Sequence, residues 1–227
     1  MLERIPAKAP SADQVYQDLK RRLLVAEFSQ NEKLRPDSLK QEYDCAAATV
    51  REALFRLFSE RLIDFQDQRG FRTLSVSERA FDELTSLRSL IEGEGLRLSI
   101  ANGDLAWEAD LTAAHHKLSH VEGVLRDNPD ALEYHPLLAE SEWHFHRMLV
   151  AACGSDTLIE AHGAIYERQR VNLVQVVGRV GYRDGNIDEH AEILSAALAR
   201  DATLCLERLD SHLHRMNVKS PKYEGGL

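Results

Sequence analysis

Thr49-Val50-Arg51-Glu52-Ala53-Leu54-Phe55-Arg56-Leu57-Phe58, inside the longer run of residues 43–64, decides how this chain is read. Val50, Ala53, Leu54, Leu57, Phe58 and Leu62 recur at helical spacing. One side of a helix running from about Thr49 is therefore apolar and packs against neighbours. Thr49 with Glu52 three residues later matches a capping box, which predicts the helix start at that point. Arg51, Phe55 and Arg56 fall off the stripe and face outward. A short helix from Asp37 to about Tyr43 comes before it, joined through Asp44 and Cys45. Two helices across a tight turn, the second exposing an arginine early, form the layout of a helix-turn-helix DNA reader.

Outward from this core, residues 62–65 and 71–76 read as two short strands. Residues 66–70 join them in a hairpin whose Gly70 suits the turn. A further helix begins at Ser11, with Val15, Tyr16, Leu19, Leu23 and Leu24 on one side and Lys20, Arg21 and Arg22 near the other. The first ten residues hold Pro6 and Pro10 with little periodicity and read as a loose tail. Thr49-Val50-Arg51-Glu52-Ala53-Leu54, then Leu57, Glu60-Arg61-Leu62-Ile63 and Arg69-Gly70-Phe71, resemble the winged helix-turn-helix of the GntR family of bacterial transcription regulators. The resemblance implies that Arg51 is directed at DNA, with Thr49 and Arg56 beside it. Arg69 and Arg72 on the wing are open to two readings, contact with the duplex or ordinary exposed strand charge. Three places depart from the family pattern. Ala46-Ala47-Ala48 stands where a Ser-Arg-Thr-like tract is usual, and Asp44 and Arg61 replace glycines. Asn31, also at a glycine place, tolerates positive φ better than most residues.

The net charge of −9 is unevenly placed. Residues 1–76 hold 13 Lys+Arg against 12 Asp+Glu, and the remaining 15 against 25 leave the rest at −10. A near-neutral head on an acidic body binds a duplex if its basic groups share one face. At 227 residues there is room for two modest domains. No run approaches a membrane span and no signal pattern opens the chain. Cys45, Cys153 and Cys205 are too widely spaced for a disulfide framework or a zinc motif, which fits a reducing, cytoplasmic setting.

Ser77 reads as the cap of a second, all-helical segment. Helices are expected over roughly 78–101, 104–126, 136–152, 157–178, 187–199 and 201–218, with a glycine-rich loop at 178–186 and a loose tail over 221–227. The stripe of the third is Leu138, Glu142, Phe145, Leu149 and Ala152, with His146 beside it. The fifth carries Ile187, His190, Ala191, Leu194 and Leu198. The sixth carries Cys205, Leu209, His212, Leu213 and Met216. Three helices thus send Glu142, His146, His190 and His212 inward, and burying any of these alone is costly. A divalent cation satisfies all four, imidazole with carboxylate suiting Zn, Ni, Mn or Fe; a satisfied buried histidine network is the alternative. His116 and His120 lie opposite the stripe of Trp107, Leu111, Ala114, Leu118, Val121 and Leu125, and so face solvent. Arg88 shares an apolar stripe with Phe81, Leu84, Ile91, Gly95 and Leu98, either as a salt bridge to Glu92 or as a clamp for an acid.

Leu87-Arg88 with Glu92, Phe145-His146, Glu189-His190 with Ile193-Leu194, and His212-Leu213 resemble the FCD effector-binding domain, and six helices place it nearer the VanR-like branch. That resemblance implies a metal held by Glu142, His146, His190 and His212, Glu142 replacing the usual aspartate, and an organic acid at Arg88. The expected fold is mainly α: a winged helix-turn-helix over 11–76 and an all-α FCD bundle over 77–220. The expected protein is a homodimeric repressor that binds operator DNA and answers to a small organic acid. A metal-dependent enzyme acting on small carboxylates is one alternative, and a DNA-binding regulator without effector control is another.

Overall fold

The computed structural model describes residues 9–75, 77–177, 183 and 185–215. Two compact units emerge, residues 1–76 with 170–175 and residues 77–169 with 176–227. The expected tail over 221–227, most of the 178–186 loop and Met216 lie outside the described residues.

In the first unit, α1 (Ala12–Leu24), α2 (Pro36–Glu42) and α3 (Ala47–Ser59) precede an antiparallel pair, β1 (Ile63–Gln66) and β2 (Gly70–Thr73). Ser11 caps α1 in a full capping box with Gln14, and Pro36 pre-sets the first turn of α2. Val15, Leu19, Leu23, Val50, Ala53, Leu54, Leu57, Leu62 and Ile63 are fully buried in one core.

The start of α3 differs from expectation. Its N-cap is Ala46, with no side-chain cap, and Thr49 already lies within the first turn. Val50 N–H reaches back to Ala46 O, so packing of the apolar stripe sets the start and the Thr49–Glu52 pattern does not act as a cap. Phe58 also departs, being 40 % exposed at the edge of the stripe. It belongs instead to an aromatic group: Phe55 stacks edge-on against Phe71 at 4.9 Å, Phe65 lies 4.8 Å from Phe71, and Phe58 lies 6.0 Å from Phe65. These rings join α3 to both strands of the wing.

The glycine replacements leave a backbone signature. Asn31, Asp44 and Arg61 all adopt left-handed φ, at 54°, 48° and 60°. The turns keep their shape, and each non-glycine residue bears the steric cost of that region.

In the second unit, α4 (Glu78–Asn102), α5 (Leu105–Asp127), α6 (Tyr134–Val150), α7 (Asp156–Val177), α8 (Asn186–Leu198) and α9 (Ala202–Arg215) follow in order. Ser77 and Asp104 cap α4 and α5. The α5 stripe is buried as expected, together with Glu122. On α8 the buried face is rotated from the expected one. Asn186, Glu189, His190, Ile193, Ala196 and Ala197 are buried, while Leu198 is exposed. Glu189 is drawn inward by Arg183, Arg215 and His212, which turns the helix away from its most apolar side.

Candidate functional site

α6, α8 and α9 converge on His146, His190 and His212, one ring nitrogen of each lying within 4.8 Å of the others. All three are buried. The ring centres of His190 and His212 are 4.5 Å apart, those of His146 and His212 5.4 Å.

A different glutamate stands behind each imidazole. Nδ1 of His146 is 2.5 Å from Glu92 Oε1 on α4. Nδ1 of His212 is 2.8 Å from Glu189 Oε2 on α8. Nδ1 of His190 is 3.1 Å from Glu122 Oε1 on α5. For His146 and His212 the carboxylate bonded at Nδ1 places the ring proton there and turns the Nε2 lone pair to the opposite side, as cation-binding histidines require. Glu122 stands near His190 without making that bond. Both ring nitrogens of His190 are buried with no hydrogen-bond partner among the described residues, a cost that a cation at Nε2 would lessen.

Protonation favours the same chemistry. Burial pushes His146 down to about 4, with Glu92 opposing and Arg88 reinforcing the shift. Burial also holds His212 well below the ordinary imidazole value, helped by His190 and His146. Both rings are neutral near pH 7, the form that ligates metals. The donor set therefore fits a divalent cation of the Zn or Ni type. Glu142 is buried one turn before His146, and it is not among the donors gathered with the three rings.

Arg88 reconciles its two expected readings. Its Nε donates to Glu92 Oε2 at 2.7 Å and its Nη1 to Gln169 Oε1 at 2.7 Å. The guanidinium lies 4.5 Å from the Tyr166 ring centre. Its Nη2 is buried without a hydrogen-bond partner among the described residues. The salt bridge exists, and one donor remains for an anion. Glu92 itself is fully buried. Burial acts to raise its pKa, but Arg88, His146 and His162 outweigh it and hold the carboxyl well below the usual range.

Sequence reasoning gave five members of this network no part in the cation site. Glu122 and Glu189 share buried faces with recognised core residues, and only their charge suggested solvent. Glu92 entered only as a partner of Arg88. His162 is fully buried, donates from Nε2 to Glu92 Oε2 at 3.0 Å, and stacks on Trp143. His115 packs 5.7 Å from the Phe145 ring, and burial lowers its pKa with His190 adding to the effect. His116 and His120 are exposed.

In the first unit, Arg51 is exposed on α3 and Thr49 is half-buried in its first turn. Arg56 is committed internally. It pairs with Asp13 at 3.1 Å and lies 3.9 Å over the Tyr16 ring, whose hydroxyl donates to Glu60. Arg72 donates to Asn31 O at 2.7 Å and ties the wing to the loop before α2. Arg69 is exposed at the wing tip and reaches only Gln66 among the described residues. Lys20, Arg21 and Arg22 all engage acidic neighbours.

Residues 11–72 match the family described as bacterial regulatory proteins, gntR family, and residues 83–215 match the FCD domain. The chain belongs to the gntR family, FCD class. It is a DNA-binding transcriptional regulator, and gntR-family proteins of this class are regulators, not enzymes. The HTH-type transcriptional repressor GlaR of Escherichia coli (strain K12) is 33 % identical over 87 % of this chain and 90 % of its own length. The HTH-type transcriptional regulator BphR of Paraburkholderia xenovorans (strain LB400) is 30 % identical over 87 % of this chain and 80 % of its own. The structure of E. coli McbR/YncC shares the fold, with a TM-score of 0.74 at 20 % identity over 90 % of this chain and 93 % of that one. A gntR-type regulator is thus built on a winged helix-turn-helix and an all-helical FCD domain. Among the described residues no helix is long and apolar enough to cross a membrane.

Proposed function

We propose that this regulator senses a small organic acid through a divalent metal held by His146, His190 and His212, and that acid binding sets its affinity for operator DNA. The observation that supports this is the convergence of three buried imidazoles. Two are bonded at Nδ1 to their own carboxylates, Glu92 and Glu189, and the third lies 3.1 Å from Glu122. A merely packed histidine cluster needs no such carboxylates, whereas imidazoles that ligate a cation do. A bound Zn, Ni, Mn or Fe ion supplies a Lewis-acidic centre with open positions for a carboxylate. Glu142, one turn before His146 on α6, would supply the carboxylate of the ligand set. Arg88 Nη2, buried and lacking a partner, takes the acid's carboxylate as a charge-assisted hydrogen bond.

The reader spans 11–76 and the sensor 77–220. The protein acts in the cytoplasm as a homodimeric repressor whose two heads read half-sites in successive major grooves, with Arg51 leading and Thr49 and Arg69 supporting it. The acid must bind one arrangement of the sensor better than the other for control to follow. Elemental analysis of the purified protein, with a thermal-shift screen of organic acids before and after chelation, tests the sensor. One bound metal per chain and an acid-induced rise in Tm that chelator removes are expected. Metal-free protein with unaltered acid binding rejects the metal route.

A further inference from the structure

The recognition helix presents an unusual surface in its first two turns. Ala46, Ala48, Arg51 and Glu52 are exposed, Ala47 and Thr49 are half-buried, and Val50 is buried. Ala46 provides no side-chain cap, so the side chains of Ala46, Ala47 and Ala48 offer only methyl groups to whatever the opening turn faces. Ala48 and Arg51 are three residues apart and share one side of the helix. Arg56 is held by Asp13 and the Tyr16 ring, which leaves Arg51 as the one arginine of α3 directed to solvent without an internal partner among the described residues.

The first residues of a recognition helix meet base edges in the major groove. At that edge a methyl-bearing side chain has one complementary feature, the C5-methyl group of thymine, while an arginine pairs with guanine O6 and N7. Three small methyl groups offer no hydrogen bond with which to tell guanine, adenine or cytosine apart. They also permit closer approach than serine or arginine would.

We infer that this protein reads its half-site chiefly by thymine methyl groups seated against Ala46 and Ala48, beside one guanine taken by Arg51. The contribution of this face is apolar, and Glu52 on the same side adds repulsion toward phosphate. Sequence discrimination here therefore survives rising salt better than total affinity does. The inference rests on α3 docking in the major groove, as the winged-helix assignment requires.

The test uses the full-length protein. A random-sequence duplex pool is selected for binding, and the enriched site is then synthesised with uracil replacing each thymine in turn. Uracil lacks only the methyl group. Loss of affinity of about fourfold is expected at one or two thymines adjoining a guanine, the scale of one buried methyl group. Ala46→Gly, at an N-cap position where glycine is well tolerated, and Ala48→Gly are expected to weaken thymine-containing sites and to leave the corresponding uracil sites unchanged. An enriched site in which no uracil substitution matters overturns the methyl reading while leaving DNA binding intact. Failure to enrich any sequence overturns both.

Discussion

Glu122 and His190 face each other at 3.1 Å, each almost wholly withdrawn from solvent, yet no hydrogen bond aligns them. Among the described residues both Glu122 oxygens and both His190 nitrogens lack hydrogen-bond partners. A pair left in this condition costs free energy unless a further group completes it. A cation on Nε2 would make the ring a stronger donor at Nδ1 and draw the carboxylate into line. Replacing Glu122 by Gln should therefore lower metal affinity about 10- to 100-fold, the usual effect of removing such a backing carboxylate. Competition titration against a chromophoric chelator measures it. Unchanged affinity would mean that His190 does not bind through Nε2.

Metal-free protein should lose stability as the pH falls from about 6.5 towards 4. In the unfolded chain His146 and His212 take up protons near 6.5, whereas burial holds His146 down to about 4 and His212 well below its ordinary value in the fold. The unfolded state binds more protons in this window, so the free energy of unfolding rises with pH. Below 4.5 the carboxyl of Glu92 adds to the loss, since burial is outweighed there by Arg88 and the imidazoles and its folded pKa is depressed. Urea midpoints in the presence of chelator between pH 4 and 8 should trace this decline. A flat profile would show that the rings protonate freely in the native state.

Arg61→Gly should stabilise the first unit. Arg61 is exposed and holds φ at 60° immediately after α3. A non-glycine residue bears about 1 kcal/mol or more in this region. Chemical denaturation should show a gain of about 1 kcal/mol, with DNA affinity at low salt nearly unchanged. Asp44→Gly, at φ 48°, should behave in the same direction.

Arg51→Ala and Arg56→Ala should separate cleanly. Arg51 is solvent-facing, so its loss should weaken DNA binding and reduce the slope of log K against log salt by about 1 if the contact is to phosphate, or relax the preference at one base if it is to guanine. Arg56 lies over Tyr16 and against Asp13, with its side chain 41 % exposed. Its removal should lower stability by about 0.5–1 kcal/mol, with little change in the salt slope. Fluorescence anisotropy and thermal melts of both variants check the contrast.

Much of this was legible in the sequence, and the remainder was hidden for definite reasons. The stripe Trp107-Leu111-Ala114-Leu118-Val121-Leu125 announced α5, because apolar periodicity is the strongest local signal and all six residues are buried. His146, His190 and His212 were visible as polar intrusions into such stripes. Glu122, four residues after Leu118 on the same face, carried the same signal, but charge argues for solvent unless its partner on α8 is known. That partner comes from a distant helix, and no spacing rule reports it. Thr49 illustrates the opposite failure. Its pattern with Glu52 is a true capping signature elsewhere, and here the buried Val50, Ala53 and Leu57 extend the helix past it to Ala46.

The rings of Phe55, Phe58, Phe65 and Phe71 lock the recognition helix to both strands of the wing. Aromatic packing of this kind stiffens the joint between the helix and the hairpin. Under the proposed control by an acid, release from a promoter is then expected to leave the inside of this head unchanged.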